Sequence, residues 1–242
     1  MPMEFPSDQA DGLLMRSQLY VEGAQRGRRP GVLVFPEAFG LGDHAAEVAQ
    51  KLAKLGYVAL ACDLHGNGSL VTDFGVLMPI METLRKDAER IRARSKGALD
   101  TLRARPEVDP TRIAAIGYCF GGSMALELAR NGSDIVGVVG FHSGLTTPAP
   151  DDAKNIKGKI LICIGADDPQ VGADARTAFE DEMRRAKVDW RMNIYGGVTH
   201  SFTNRTANSL GKPETFRYDA KADARSWSEM LVFLDEVFGE GA

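Results

Sequence analysis

Residues 113–124 constrain the fold more than any other stretch of the chain. An apolar, strand-like run passes there through a glycine-rich turn into a helical pattern, and the turn reads Gly117-x-Cys119-x-Gly121-Gly122. A strand that turns sharply into a helix needs small residues around its central residue, and the glycines provide them. The pattern is typical of a nucleophile elbow, with cysteine where most elbows carry serine. The N-terminal end of the following helix would favour a thiolate there. The alternative is a free cysteine buried at a strand end.

The composition indicates one globular α/β domain spanning residues 1–242. The chain has 242 residues, of which 44% are hydrophobic and 26% charged, so it is long enough to bury a sizeable core. The net charge is −4 and no basic stripe is present, so we expect no nucleic-acid partner. No apolar run reaches the length of a membrane span, so we expect no membrane partner.

The cysteine pattern indicates a cytoplasmic protein. Cys62, Cys119 and Cys163 are scattered and odd in number, which fits neither a disulfide framework nor a metal site. We expect Cys62 and Cys163 to be core residues. A free nucleophilic thiol suits a reducing cytoplasm, and the first ten residues have no signal-peptide pattern.

Strand and helix patterns alternate along the chain. The predicted strands cover residues 31–35, 57–62, 112–117, 135–141, 159–165 and 189–195, and the predicted helices cover 43–55, 82–104, 122–130, 173–186 and 218–238. We interpret 26–30 as a hairpin tip, 66–79 as a loop, 106–111 as a turn and the charged run 85–94 as a solvated helix face. This order predicts a mostly parallel central sheet with helices on both faces. The working residues of such sheets lie at the carboxyl ends of the strands.

Two segments that follow predicted strands supply partners for a nucleophile. Asp167 and Asp168 come directly after residues 159–165, and Pro169 restricts the backbone of Asp168 to extended or turn conformations. We favour Asp168 over Asp167. His200 follows the next strand, and flanking glycines let its loop return towards the elbow. The order nucleophile, acid, histidine is that of α/β-hydrolases.

A fourth segment, Phe35-Pro36-Glu37-Ala38-Phe39-Gly40, follows the first buried strand. In this fold, that loop and the residue after the nucleophile each direct one backbone N–H at a developing oxyanion, here Ala38 and Phe120. Glu37 is unusual, because a carboxylate beside a thiol either disfavours the thiolate or accepts its proton. The alternative is a solvated glutamate.

These four segments together resemble the dienelactone hydrolase family, over residues 31–238. The resemblance implies an α/β-hydrolase fold, hydrolysis of a small lactone or ester, and neither metal nor cofactor. It implies a triad of Cys119, Asp168 and His200, with Glu37 taking the cysteine proton when substrate binds. Carboxylate-binding members of the family use two arginines, but residues 66–83 contain none, and Asn204 follows the histidine loop. We therefore expect uncharged substrates, unless Arg85, Arg205 or Arg217 reaches the pocket.

Some further residues are candidates for the substrate pocket: Phe39, His65, His142, Phe202 and Asn204. We expect His44, in the first turn of a helix, to be solvated. The four histidines are scattered without ligand spacing, which argues against a metal site. The favoured function is a cysteine hydrolase acting on a small lactone, ester or thioester. The alternatives are a non-catalytic binding or sensor protein on a hydrolase scaffold and a redox-responsive thiol protein.

Overall fold

A seven-stranded sheet forms the centre of the molecule. The computed structural model describes residues 4–23 and 27–239. The sheet order is β3-β5-β4-β6-β7-β8-β9, and a separate hairpin pairs β1 with β2. The strands are β1 (Ser7–Ala10), β2 (Leu13–Arg16), β3 (Gln18–Tyr20), β4 (Arg29–Phe35), β5 (Val58–Ala61), β6 (Val108–Tyr118), β7 (Gly137–Phe141), β8 (Lys159–Gly165) and β9 (Trp190–Tyr195). Only β3 pairs antiparallel within the seven, which confirms the mostly parallel sheet.

Helices cover both faces of the sheet. They are α1 (Asp43–Lys54), α2 (Phe74–Lys86), α3 (Ala88–Arg103), α4 (Phe120–Arg130), α5 (Ala173–Ala186) and α6 (Ala220–Phe238). One core contains buried residues of α1 and α6, such as Leu52 and Phe233, and the other contains residues of α2 to α5, such as Leu99 and Met124. None of the helices in the described ranges is long and apolar enough to cross a membrane.

Chain order reverses between β4 and β6. The chain runs from β4 outwards to β5 and then returns to place β6 on the other side of β4. Ligands of open α/β sheets bind at such a reversal, beyond the carboxyl ends of the strands. Glu37 follows β4 and Cys119 follows β6, so this topology brings both residues to one crevice.

The predicted helix over 82–104 and the predicted loop over 66–79 are each correct only in part. The structure forms two helices instead, and α2 already begins at Phe74. Asp73 caps α2 by accepting hydrogen bonds from two backbone N–H groups, and Asp87 interrupts the helical run and caps α3 through Arg90 N. Pro79 lies inside α2, where burial of Leu77, Met81 and Leu84 outweighs the lost backbone hydrogen bond.

The strand predictions missed the N-terminal pairing. Strands β1 to β3 are short and partly exposed, so their apolar pattern is weak. The predicted turn over 106–111 is partly strand, because Val108 already pairs with Arg29. The predicted hairpin tip over 26–30 also conflicts with β4, which begins at Arg29. Residue 26 lies outside the described residues.

The charged run 85–94 is not a solvated face throughout. Arg92 and Arg94 are buried, and they pair with Glu127 and Asp11. These arginines tie α3 to α4 and to the N-terminal hairpin, so part of the run is internal structure.

A buried ionic cluster joins the elbow helix α4 to α5. Arg130 is fully buried, and its Nε and Nη2 atoms donate to the two carboxylate oxygens of Glu182 at 2.7 and 2.9 Å. Its Nη1 atom donates to Glu127 at 3.0 Å, and Nη2 also donates to the backbone oxygen of Leu145. Because the cluster is satisfied on every side, removing one partner leaves a buried charge without compensation.

We predict that Glu182→Ala destabilises the fold by about 3 kcal/mol or more, because the Arg130 guanidinium would lose its bidentate partner inside the core. Urea unfolding followed by circular dichroism measures the loss as a lower midpoint. Asp181→Ala is the matched control on the same helix, since that side chain is 58% exposed. Equal midpoints for the two variants would show that the buried pair contributes little.

Candidate active site

The β6–α4 turn holds Cys119 in a strained conformation. Its backbone φ is 54° and ψ is −117°, a region that residues with side chains rarely adopt. The glycines make the turn possible, because a Cβ at Gly117 would overlap the backbone of Gly121 and a Cβ at Gly121 would overlap the carbonyl oxygens of Phe35 and Pro36. The predicted elbow is therefore formed, with Cys119 at the N-terminal end of α4.

His200 is fixed by Asp168. Its Nδ1 atom lies 2.7 Å from Asp168 Oδ2, and both side chains are almost fully buried. Asp168 Oδ1 also accepts from Gln170 N at 2.8 Å, which holds the carboxylate in place. Asp167 is exposed and has no contact of this kind. Of the two candidate aspartates, the structure brings Asp168 to His200.

The other ring nitrogen of His200 faces the charge of Cys119. Burial alone lowers the pKa of His200, but the negative charge of Cys119 and the hydrogen bond to Asp168 outweigh it and raise the pKa to about 10. The Nε2 atom is buried and forms no hydrogen bond of ordinary geometry within the described residues. The arrangement therefore favours the protonated form of the His200 ring.

Glu37 lies on the β4 side of the same cavity. It is 9% exposed, and its Oε1 atom accepts from His44 Nδ1 at 2.7 Å and from Asn204 Nδ2 at 3.0 Å. Burial raises the pKa of Glu37, but the interactions with His44 and Asn204 outweigh it and leave the pKa below its usual value. Glu37 is thus a buried carboxylate held in its charged form, not a solvated one.

Two backbone N–H groups, those of Ala38 and Phe120, stay candidates for an oxyanion hole. Neither Ala38 N nor Phe120 N donates a hydrogen bond to another group in residues 4–23 and 27–239. The Ala38 peptide is held by His65, whose Nε2 atom lies 2.8 Å from the Ala38 oxygen. Phe120 begins α4, so its N–H points out of the helix end. Free donors of this kind suit a developing oxyanion.

A cavity of about 930 Å³ opens over the elbow. Cys119, Glu37 and Ala38 line it, as do two of the predicted pocket residues, Phe39 and Asn204. One side is apolar, and its further lining residues are Leu70, Phe74, Leu77, Met78, Met81 and Phe216. The other side carries polar and charged residues of α1 and α6, which are Asp43, Glu47, Lys51, Asp223 and Trp227.

The remaining pocket predictions are wrong. His65 lines a separate cavity of about 450 Å³ that also touches Leu13 and Arg94. His142 is fully buried, and its Nε2 atom lies 2.8 Å from Thr203 Oγ1. Burial, with the charge of His200, lowers the pKa of His142 well below its usual value, so this ring is neutral. Phe202 is also fully buried and packs on His142. The His142 ring in turn packs edge to face on His200, with centroids 5.0 Å apart.

The inward position of His44 was not predicted from the sequence, and the positions of three arginines relative to the pocket were left open. His44 is not solvated, because its side chain is 16% exposed and bonded to Glu37. Its position in the first turn of the helix after β4, at the carboxyl edge of the sheet, was the available signal. Arg85 and Arg205 both line the cavity. Arg217 instead donates to Gly197 O on the surface.

No group of three or more His, Cys, Asp or Glu side chains lies in a metal-binding arrangement within the described ranges. The three cysteines are free thiols, and Cys62 and Cys163 are buried. The expectation of a reaction without metal or cofactor stays a prediction.

Comparison with known proteins agrees with this geometry. A family model described as the dienelactone hydrolase family matches residues 17–238. A solved structure named m3DLH is 46% identical, with a TM-score of 0.92, and the match covers 99% of this chain and 100% of that one. A dienelactone hydrolase-like promiscuous phosphotriesterase from metagenomic libraries is 42% identical, with a TM-score of 0.91 over the same shares. A protein of Aquifex aeolicus with the provisional name carboxymethylenebutenolidase is 27% identical, over 85% of this chain and 87% of its own length.

The fold and these matches define a hydrolase with the α/β-hydrolase architecture. The chain belongs to the dienelactone hydrolase family. The family resemblance drawn from the sequence motifs is therefore confirmed, and so is a hydrolase of this type.

We predict that Asp168→Asn lowers turnover about a thousandfold, because the amide would hold the wrong tautomer of His200 and remove the charge that stabilises its cation. Asp167→Asn is the matched control and should remain near wild type. Steady-state hydrolysis of a chromogenic ester by the two variants checks this. The opposite ranking would assign the acid to Asp167.

Proposed function

We propose that this protein is a cysteine hydrolase that cleaves uncharged esters or lactones through Cys119, His200 and Asp168. The observation that carries the proposal is the buried His200 ring, bonded to Asp168 on one side and influenced by the charge of Cys119 on the other. A strained elbow residue and a neighbouring base with its own orienting carboxylate are what nucleophilic catalysis requires. A binding or sensor protein would have no need of this set.

In this mechanism the proton of Cys119 has been transferred to His200 before the substrate is attacked. The raised pKa of the ring supports this assignment. The thiolate attacks the substrate carbonyl carbon, and the carbonyl electron pair moves onto the oxygen, where the N–H groups of Ala38 and Phe120 stabilise it. When the tetrahedral intermediate collapses, the C–O bond breaks and His200 protonates the leaving alcohol. Neutral His200 then takes a proton from water, which attacks the thioester and releases the acid and Cys119.

In this proposal Glu37 acts through its charge. One of its oxygens is already bonded to His44 and Asn204, and the proton of Cys119 is assigned to His200. The role implied by the family resemblance, acceptance of the cysteine proton, is therefore replaced by electrostatic control of the thiolate. A carboxylate beside Cys119 disfavours the thiolate unless it is itself compensated.

The volume and lining of the cavity favour an uncharged substrate with an apolar part. Its volume of about 930 Å³ exceeds what a small lactone needs, and the side formed by α2 is apolar. Arg205 lies near Asp223 and Tyr218, so its charge is partly compensated. Arg85 is exposed and forms no ion pair within the described residues, so it offers one contact and not a clamp.

A second candidate activity is the cleavage of uncharged phosphotriesters. The 42% identical phosphotriesterase of the family supports it, together with the free oxyanion donors and the apolar wall of the cavity. In that reaction Cys119 attacks phosphorus and an aryl alcohol leaves. A chromogenic aryl phosphotriester, assayed beside the matching carboxylic ester, ranks the two activities.

We predict that Cys119→Ala lowers ester hydrolysis by about a thousandfold or more while the protein stays folded. Cys163→Ala is the matched control, because burial raises the pKa of the Cys163 thiol to about 12 and makes it unreactive. Ester turnover and thermal unfolding of both variants check the assignment. If the turnover of Cys119→Ala stayed within about tenfold of wild type, Cys119 would not be the nucleophile and the proposal would be wrong.

We predict that a lactone with a free carboxylate has a higher KM than its methyl ester. The carboxylates of Glu37, Asp43 and Glu47 line the cavity, and of its two arginines Arg205 is already near Asp223, so Arg85 alone does not form the two-arginine clamp that would bind a carboxylate strongly. Steady-state kinetics on this matched pair of substrates gives the comparison. A clear preference for the free acid that disappears in Arg85→Gln would identify that arginine as the anchor and overturn the expectation.

A further inference from the structure

The partners of Glu37 are unusual for a buried carboxylate. Among the described residues, its ion pair is with His44 and with no lysine or arginine. His44 Nδ1 lies 2.7 Å from Glu37 Oε1, and Asn204 Nδ2 donates to the same oxygen at 3.0 Å. A permanent cation would neutralise Glu37 at every pH, whereas a histidine does so only while its ring is protonated.

His44 is also held against the elbow. It lies in the first turn of α1, and its ring packs edge to face on Tyr118 with centroids 4.6 Å apart. Tyr118 directly precedes Cys119 and stacks on Phe141 at 4.8 Å. The Glu37–His44 pair therefore has a defined position beside the nucleophile, and His44, Glu37 and Cys119 line one cavity.

We propose that His44 is a positioning residue for Glu37: its Nδ1–H holds the carboxylate in the cavity, and the protonation of its ring sets how much negative charge Glu37 presents to Cys119. With the ring protonated, the pair carries no net charge and the thiolate is favoured. With the ring neutral, Glu37 is uncompensated and repels the thiolate. The inference rests on the proposed function in taking Cys119 as the nucleophile.

Other ionisable groups lie near His44 or line the same cavity. They are Asp43, Glu47 and Lys51 on α1, Tyr118 at the end of β6, His142 after β7, Arg205 in the segment between β9 and α6, and Asp223 on α6. The charge of His44 contributes to the pKa of Asp223 and to the pKa of His142. The experiment must therefore separate an effect transmitted by Glu37 from one transmitted by these neighbours.

The two informative variants keep different features of His44. In His44→Asn the amide nitrogen stands near the position of Nδ1, so the hydrogen bond to Glu37 is kept while the titration is lost. In His44→Phe the aromatic packing on Tyr118 is kept, but donor and charge are both lost. Lys54→Gln is the control, because it removes an exposed positive charge from the same helix.

The readout is the rate at which iodoacetamide alkylates Cys119, measured against pH. We expect His44→Asn to react about three- to tenfold more slowly than wild type on the acid side of the profile, where the wild-type ring carries its proton. The difference should close on the alkaline side, where the wild-type ring has lost that proton. His44→Phe should behave in the same way, and Lys54→Gln should follow wild type.

The Glu37→Gln background supplies the decisive comparison. Glu37→Gln alone should speed alkylation, because it removes the negative charge beside the thiol. In that background His44→Asn should have no further effect on the pH profile. A slowing of equal size with and without Glu37 would mean that His44 acts structurally or through Asp223, and would overturn the proposal. Unchanged profiles in both His44 variants would overturn it too.

The experiment separates this inference from the proposed function. Alkylation reports on Cys119 whether or not the protein hydrolyses an ester, and Cys119→Ala shows which signal comes from that thiol. Loss of the His44 effect in an enzyme whose turnover needs Cys119 refutes the inference alone. Ester turnover that survives Cys119→Ala refutes the proposed function, while the pH profile still tests the coupling of His44 to Glu37.

Discussion

The left-handed backbone of Cys119 is the constraint around which the rest of the site is arranged. A residue with a side chain in this region costs about 1–3 kcal/mol, so the surroundings must hold it there. They do so through backbone contact: Gly121 meets the carbonyls of Phe35 and Pro36, and Gly122 packs on Ser143. The glycines thus bring the ends of β4, β6 and β7 together at one point. A methyl group at Gly121 would move the β4 loop away and separate Glu37 and Ala38 from Cys119.

Several buried charges of the described residues are paired with an opposite charge. The cluster around Arg130 fixes α4 against α5 away from the cavity, the Glu37–His44 pair lines the cavity, and the Asp168–His200 pair is buried at the same edge of the sheet. The pairs differ in what they can do. A guanidinium is not deprotonated in proteins, so the Arg130 cluster has a structural role. A histidine can lose or gain a proton, so in our proposals the two histidine pairs couple the charge around Cys119 to pH.

The parts of the fold with strong local signals could be predicted from the sequence. Strand β8 and helix α5 agree residue for residue, because an apolar run and an amphipathic run each end at clear turn residues. The break between α2 and α3 could not be predicted, since Asp87 and Pro79 act through capping and burial that depend on packing. The N-terminal strands form because β5 offers an edge, which a local pattern does not show.

The residues of the candidate site also divide into those that local motifs predict and those whose positions depend on packing. Cys119, Asp168, His200 and Glu37 carry local motifs at strand ends, and the structure brings all four to one edge. The surrounding shell was harder to predict. Phe202 follows His200 closely in the chain and His142 directly follows β7, so both were expected in the pocket. Both side chains are instead fully buried in the core. His44 was assigned to solvent because a helical first turn is usually exposed. It faces inwards here because α1 starts at the sheet edge, directly over Glu37.

The proposed mechanism places Cys119 between two ionic pairs of opposite sense. On the His200 side, the charge of Cys119 and the hydrogen bond to Asp168 raise the pKa of the ring to about 10, and in this proposal the resulting cation stabilises the thiolate. On the Glu37 side, the proposal has the carboxylate oppose the thiolate to the extent that His44 leaves it uncompensated. A highly reactive thiolate would also be exposed to oxidation in a cavity of this size. In the proposed arrangement the opposing carboxylate therefore limits the reactivity of the resting thiol, and its own histidine makes that limit adjustable.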